Sequence, residues 1–280
     1  MNYRHAYHAG NFADVLKHAA LTALLLHLRK KEAPFAVIDT HAGRGVYDLG
    51  SPEATKTCEA EEGIARLLGT DPPSGVLRPY AEIVKTFGPG RYPGSPLIAA
   101  RLLRGHDRLM AIEKHPEEHA VLAAALKPMR QAPAILSDGY RELAKLVPPH
   151  ERRGLVLIDP PYEDENEFAI AAQALIAAHR RFATGIFVLW YPVKDRTAVE
   201  AAIGELLNVG IPRLLRVELD IGLAADDADD AERLSAAGLL VVNPPFGFAA
   251  EMEIAGAYLA DRLKRGAMAR FRVETLAGER

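Results

Sequence analysis

The chain has 280 residues, 49% hydrophobic and 25% charged, with a net charge of −3 and one cysteine, Cys58. That balance suits a soluble globular fold of one large α/β domain with an insertion, or of two small domains. It excludes an intramolecular disulfide, a Cys-rich zinc site and a generally basic nucleic-acid coat. No apolar run approaches the roughly 20 residues that span a bilayer. The opening residues contain no apolar core of signal-peptide length, so a cytoplasmic location is expected.

Charge is unevenly spread. Residues 1–31 carry Arg4, Lys17, Arg29, Lys30 and Lys31 against Asp14 alone, together with four histidines. Acids gather late, in Asp226, Asp227, Asp229, Asp230 and Glu232, a stretch that reads as a solvated loop. A basic end can meet phosphates while the rest of the chain stays acidic, although Arg29–Lys31 also suits a helix C-terminus.

An irregular arm with Tyr3, Arg4, His5, Tyr7 and His8 opens the chain. Asn11 to Lys31 follows as a helix, because Val15, Leu16, Ala19, Ala20, Ala23, Leu24 and Leu28 form one apolar stripe. Asn11 suits its N-cap, and Asp14 stands where a weak capping box needs an acid. Phe35 to Asp39 reads as the first strand, ending in Thr40-His-Ala-Gly-Arg-Gly45. Two glycines there allow close backbone approach to a ligand. The turn is neither a dinucleotide fingerprint nor a Walker loop, so a nucleoside held by backbone contacts fits better.

Residues 48–93 interrupt the alternation with helical patterns around Glu59–Leu68 and Leu77–Phe87, and read as a helical insertion within one domain covering 1–280. A helix resumes at Pro96. Arg108–Ile112 is a second strand ending in Glu113, an acid placed to hydrogen-bond ribose hydroxyls. Ala134–Leu136 is a third, ending in Ser137-Asp138-Gly139, where Asp138 can accept from an adenine amino group. Gly154-Leu-Val-Leu-Ile158 is a fourth, buried and parallel, and stops in Asp159-Pro160-Pro161-Tyr162. An acid, two prolines and an aromatic at a strand's carboxyl end suit gripping a planar amine. Gly185–Leu189 is the fifth strand, and Arg213–Leu219 with Leu239–Val242 suggests a closing antiparallel pair. The expected fold is therefore α/β, with a seven-stranded, mostly parallel, doubly wound sheet whose last strand is antiparallel.

Two other Pro-Pro turns compete. Asp71-Pro-Pro-Ser74 follows no strand. Asn243-Pro-Pro-Phe246 follows one, but an antiparallel final strand places it at the opposite edge of the sheet from Gly43, Glu113 and Asp138.

The pattern of glycine turn, Glu113, Asp138 and Asp159-Pro-Pro-Tyr162 resembles Rossmann-like methyltransferases that use S-adenosylmethionine, in the branch acting on exocyclic amines. Tyr3-Arg-His-Ala-Tyr-His-Ala-Gly-Asn11, Ala13-Asp-Val-Leu-Lys-His18, Asp39-Thr-His-Ala-Gly43, Tyr92-Pro-Gly-Ser-Pro-Leu-Ile98 and Leu157-Ile-Asp-Pro-Pro-Tyr162 are similar to the RlmJ family. That family methylates N6 of an adenine in large-subunit (23S) ribosomal RNA.

The resemblance implies that His18, His41, Ser95, Glu113, Asp138, Gly139 and Asp159 contact S-adenosylmethionine and that Asp159 is catalytic. It implies that Tyr3 and Lys17 hold the target nucleotide. Arg44 departs from the pattern, since relatives often have a small residue in the glycine turn. On chemical grounds the Asp159 carboxylate and the Pro160 carbonyl accept the two amino hydrogens, and Tyr162 stacks on the flipped base. No metal is needed. A monomer acting on ribosomal RNA, free or in an early assembly particle, is expected, without a membrane partner. The alternatives are a DNA adenine-N6 methyltransferase, a methyltransferase of protein side-chain amides, or a non-catalytic RNA-binding module.

Overall fold

The computed structural model describes residues 5–73, 75–222 and 233–278. Tyr3 and the acidic run from Asp226 to Glu232 lie outside the described residues. A 3-10 turn, His5–Tyr7, leads into α1 (Phe12–Arg29). Asn11 caps α1 by accepting from the Asp14 amide at 2.9 Å, and Asp14 in turn accepts from the Gly10 amide at 2.9 Å. One orphan donor of the helix start is thus satisfied, and the residue before the cap is tied to the first turn.

After β1 (Ala36–Asp39), the short β2 (Val46–Asp48) pairs antiparallel with β3 (Arg91–Pro93). Between them stand α2 (Pro52–Thr57), α3 (Glu59–Glu62), α4 (Ile64–Leu68) and α5 (Leu77–Lys85). The pattern around Glu59–Leu68 is broken in two at Gly63. A Cβ at Gly63 would lie 2.1 Å from the Gly10 carbonyl oxygen, so only glycine lets this backbone pass. The Ile64 amide donates to that same carbonyl at 2.8 Å, tying these helices to the start of α1.

The remaining chain alternates: α6 (Ser95–Leu102), β4 (Arg108–Glu113), α7 (Pro116–Leu126), β5 (Ala134–Leu136), α8 (Gly139–Leu146), β6 (Gly154–Ile158), α9 (Glu167–Arg181), β7 (Ile186–Pro192) and α10 (Arg196–Asn208). It closes with β8 (Leu214–Asp220), β9 (Ala236–Val242), α11 (Phe248–Leu263) and β10 (Arg270–Ala277).

The main sheet runs β10-β8-β9-β7-β6-β1-β4-β5. From β5 to β7 all pairings are parallel, and β9 enters antiparallel to both β7 and β8. The sheet has one strand more than the seven expected, because β10 adds antiparallel to β8 and takes the outer edge. Neither α11 nor β10 was anticipated. In α11, Phe248, Met252, Ala255, Leu259 and Leu263 form a buried stripe with helical spacing, whereas β10 is half exposed along its length.

Helices cover both faces. One core packs α1, α6 and α11 on the sheet, around Leu16, Leu24, Ile98, Leu109 and Leu259. The other packs α8, α9 and α10, around Ile158, Leu175, Phe187 and Leu206. Each such buried aliphatic or aromatic side chain contributes about 1.5–3 kcal/mol. A doubly wound sheet covered on both faces leaves the strand ends as the places where polar groups can converge.

Candidate active site

The carboxyl ends of β1, β4, β5 and β6 come together at one edge of the sheet. β6 pairs with β1, so Asp159 emerges beside the turn that follows Asp39. Asn243 follows β9, whose Val242 pairs with Phe187 near the start of β7, so Asn243-Pro-Pro-Phe246 sits at the opposite edge. Its side-chain amide donates to the Ala183 and Gly185 carbonyls at 2.8 Å, which makes it a brace for the turn before β7.

Helix α1 runs to the same edge as Asp159 and buries three polar side chains there: Asp14, Lys17 and His18, at 1%, 4% and 1% exposure. Buried charge persists when it is paired. The Lys17 ammonium donates to Asp159 Oδ2 at 2.6 Å and lies 2.8 Å from Asp14 Oδ1. His5 Nε2 meets Asp14 Oδ2 at 2.9 Å. Burial pulls the Lys17 pKa down, but Asp14 and Asp159 outweigh it and hold it above the ordinary lysine value. Burial lifts Asp14, yet His5 and Lys17 overcome that and keep it well below the usual carboxylate range. A chain of polar contacts, His5–Asp14–Lys17–Asp159, thus fixes one oxygen of Asp159. Its Oδ1 has no hydrogen-bond partner among the described residues.

His18 lies one position beyond Lys17. Its Nδ1 is 2.6 Å from the Tyr92 hydroxyl, which is 2.8 Å from the Tyr80 hydroxyl. Burial pushes His18 down to about 3, so the ring is neutral, and its Nε2 is buried without a partner among the described residues. His41 is neutral too, pushed down to about 4 by burial. The Thr40 hydroxyl donates to the Leu157 carbonyl at 3.0 Å, so its single proton is committed. The contact of Thr40 Oγ1 with His41 Nδ1 at 2.8 Å is then donated by the imidazole, leaving His41 Nε2 as a bare acceptor.

Ser95 opens α6 and donates to Asp39 Oδ2 at 2.7 Å. Burial, aided by Asp159, raises the Asp39 carboxyl to about 7 against the Ser95 bond, and Oδ1 is buried without a hydrogen-bond partner among the described residues. Glu113 accepts from the Gly43 amide at 2.8 Å and from the His115 amide at 2.7 Å, so it stiffens the glycine turn. Asp138 caps α8 by accepting from the Arg141 amide at 3.1 Å and meets Lys114 Nζ at 3.1 Å. Burial raises its pKa, and these two partners bring it below the ordinary value. At Gly139 a Cβ would lie 2.0 Å from the Thr40 carbonyl oxygen, so glycine lets α8 start against the turn after β1. Arg44 points its guanidinium at Glu118, with bonds of 2.7 and 2.5 Å.

Pro160 is buried behind Asp159. Tyr162 takes a positive φ of 52° and donates its hydroxyl to the Trp190 carbonyl at 2.7 Å. Its ring packs 4.5 Å from Phe168 and 5.7 Å, edge-on, from Trp190. The structure therefore brings Lys17, His18, His41, Ser95, Glu113, Asp138, Gly139, Asp159, Pro160 and Tyr162 to one edge; Tyr3 is outside the described residues. Asp14, Asp39, Tyr80, Tyr92 and Trp190 join them without having been singled out. The signals were present for two: an acid inside an apolar helical stripe, Asp14, and an acid ending a buried strand, Asp39. Among the described residues, no group of three or more His, Cys, Asp or Glu could hold a metal ion, and no helix is long and apolar enough to cross a membrane.

A five-stranded parallel core extended by an inserted antiparallel strand, with a glycine turn after β1 and acids after β4, β5 and β6, defines a Rossmann-like class I methyltransferase. The chain belongs to the RlmJ family: residues 32–274 match the family described as Ribosomal RNA large subunit methyltransferase D, RlmJ. It is 40% identical over 256 residues to Ribosomal RNA large subunit methyltransferase J of Escherichia coli (strain K12), covering 90% of each chain. The protein of the same name from Haemophilus influenzae is 39% identical over 269 residues, 94% of each chain. The crystal structure of protein LPL1258 from Legionella pneumophila superposes with a TM-score of 0.87 at 33% identity, covering 96% of this chain and 98% of that one.

Proposed function

We propose that this protein transfers a methyl group from S-adenosylmethionine to the exocyclic N6 amine of an adenine in large-subunit (23S) ribosomal RNA. The observation that carries the reading is the state of Asp159. One oxygen is held by Lys17 while the other has no hydrogen-bond partner among the described residues, at the edge where the cofactor-type acids of β4 and β5 end. The donor set fits the cofactor: the buried Asp39 Oδ1, likewise without such a partner, suits an ammonium group. His18 Nε2 and His41 Nε2 offer further polar contacts. Ser95, Glu113, Asp138 and Gly139 complete that set, Glu113 and Asp138 through their remaining acceptor capacity. When bound, the cofactor supplies the electrophilic methyl.

The adenine amine is a poor nucleophile because its lone pair is delocalised into the ring. Asp159 Oδ1 and the Pro160 carbonyl accept its two hydrogens and favour a pyramidal nitrogen. Most of the gain then comes from orientation and electrostatics. Once nitrogen is methylated its proton is acidic, and Asp159 takes it. Lys17 keeps Asp159 from turning away. Tyr162, with its hydroxyl tied to Trp190, stands as a fixed aromatic wall for the flipped base, and Tyr3 contributes from the arm.

Residues 1–280 act as one methyltransferase domain, with 48–93 as a helical insertion that helps select the substrate. The target base must leave its stack, which favours RNA that is free or in an early assembly particle. The test is incubation with labelled cofactor and unmodified large-subunit RNA, DNA or protein extract, followed by digestion. Label in N6-methyladenosine from RNA is expected; label confined to DNA or protein overturns the reading.

A further inference from the structure

The rim around Asp159 is mixed in charge, with Lys114, Arg141, Lys194 and Arg196 exposed among acids. The loop after β6 exposes Glu163, Asp164 and Glu165 beside it, and Arg44 in the glycine turn is already bound to Glu118. A set of cations with few acids lies at the other end of the strands. Arg29, Lys30 and Lys31 precede β1, with Glu32. Arg104 and Arg108 stand at the start of β4 with Asp107, and Arg152 and Arg153 precede β6 with Glu151. Arg180 and Arg181 end α9 before β7, and Arg213 precedes β8. Ten cations thus face three acids along one edge of a chain whose net charge is −3.

Part of this set is structural. Arg104 donates to the Lys31 and Ala33 carbonyls at 2.8 and 3.2 Å, and Arg153 to the Ala33 carbonyl at 2.9 Å and to that of Leu28. Both guanidinium groups also flank the Phe35 ring. They hold the loop after α1 in place, and so the lysines on it. Arg181 likewise ties the end of α9 to the Val147 carbonyl at 3.0 Å.

Arg108 meets Glu151 at 3.6 Å, and Arg213 donates to the Pro244 carbonyl at 2.9 Å. The side chains of Arg29, Lys30, Lys31, Arg152 and Arg180 are exposed and make no hydrogen bond or ion pair among the described residues. One cation is enough to complement a helix C-terminus, and five unpaired ones on a braced edge go beyond that need. His27 beside them is held below its ordinary pKa, first by burial and then by Lys30, Arg153 and Lys31. Because β4, β1, β6 and β7 are consecutive neighbours, the row extends roughly 15 Å at about 4.8 Å per strand.

We propose that this amino-terminal edge of β4-β1-β6-β7 is a second RNA-binding surface. It holds the phosphate backbone of a segment of the substrate RNA remote from the target adenine. The proposal rests on the reading that the substrate is RNA. Its contacts are to phosphates, so it adds affinity without sequence preference and weakens with salt. Only an RNA long enough to pass round the protein from the Asp159 edge can use it.

The test replaces the five unpaired cations together: Arg29→Ser, Lys30→Ser, Lys31→Ser, Arg152→Ser and Arg180→Ser. Binding at several salt concentrations and methyl-transfer kinetics are measured with a long large-subunit RNA fragment and with a short oligonucleotide carrying the target adenine. The expected result is a KM for the long RNA raised about tenfold with kcat unchanged. The salt dependence of its binding should be shallower by about 0.7–0.9 per lost contact. The short oligonucleotide should be unaffected.

Unchanged binding and salt dependence with the long RNA overturn the proposal, as do equal losses with both RNAs. So does normal RNA binding with lost attachment to ribosomal assembly particles, which would mark a protein-docking surface instead. If wild-type protein binds RNA but methylates none, the enzymatic reading fails, while the long-RNA binding comparison still decides the surface.

Discussion

Lys17→Met removes the one cation between two carboxylates. Asp14 is 1% exposed, and without Lys17 it retains only the Gly10 amide and His5 to offset its burial. Breaking a buried ion pair from one side costs about 3–5 kcal/mol. The remaining partners place this case at the low end, about 3 kcal/mol. At about 2–4 °C per kcal/mol for large domains, thermal unfolding should fall by roughly 6–12 °C.

The deficit should also depend on pH with a defined sign. In the wild type Asp14 is held below the carboxylate range, so its contribution is present above the unfolded carboxylate pKa and is lost as pH falls through the folded value. In Lys17→Met, burial dominates and Asp14 takes up a proton more readily, which relieves the unpaired charge. The difference from wild type should therefore shrink between pH 7 and pH 4. Adding Asp14→Asn to Lys17→Met should cost less than the two single changes summed, by about 1–3 kcal/mol. Denaturant unfolding of all four proteins at pH 4.5 and 7.5 measures this. A loss below 1 kcal/mol, strict additivity, or a pH-independent deficit would refute the charge-chain account.

Other predictions are more local. Gly139→Ala forces a methyl toward the Thr40 carbonyl and should cost about 1–3 kcal/mol in unfolding titrations, with a weakened cofactor affinity by calorimetry. Glu113→Gln can accept with one oxygen where the carboxylate uses two for the Gly43 and His115 amides. It should lower stability by about 1.5–3 kcal/mol, and recovery of full stability would show the glycine turn to be held otherwise. His18, neutral in the fold and pushed down to about 3, protonates only in the unfolded chain between its ordinary value of 6.5 and that limit. Stability should therefore decline as pH drops below about 6.5, and His18→Phe should flatten that decline in acid titrations followed by circular dichroism.

The alternation from Phe35 onward displayed the fold because buried parallel strands are short, unbroken apolar runs bounded by turn residues. The antiparallel entry of β9 was legible for a related reason: the sequence shows no clear helical pattern between Arg213–Leu219 and Leu239–Val242, and a parallel crossover needs one. The C-terminal strand was hidden. Arg270–Ala277 alternates Arg, Phe, Arg, Val and Glu at an exposed edge, where packing imposes little pattern.

At the site, acids ending strands could be read directly, since a carboxylate after a buried run has few structural uses. The pairing of Lys17 with Asp159 could not. It joins residues 142 positions apart and depends on which face of α1 meets the end of β6, which neither segment reveals alone. Asp39 carries a weaker form of the strand-end signal, because it is the last residue of its strand and not the first residue after it. The Ser95 contact and an Oδ1 without a hydrogen-bond partner among the described residues mark it as part of the site.

The central claim is that Oδ1 of Asp159 accepts from the amine and takes its proton, while Lys17 holds Oδ2. Single-turnover methyl transfer by Asp159→Asn, at saturating RNA and cofactor, tests it most directly. The amide keeps the shape of the side chain but cannot accept the proton, so the rate should fall about 10²–10⁴-fold, with cofactor affinity within a few-fold of wild type. A wild-type transfer rate in Asp159→Asn would contradict the claim.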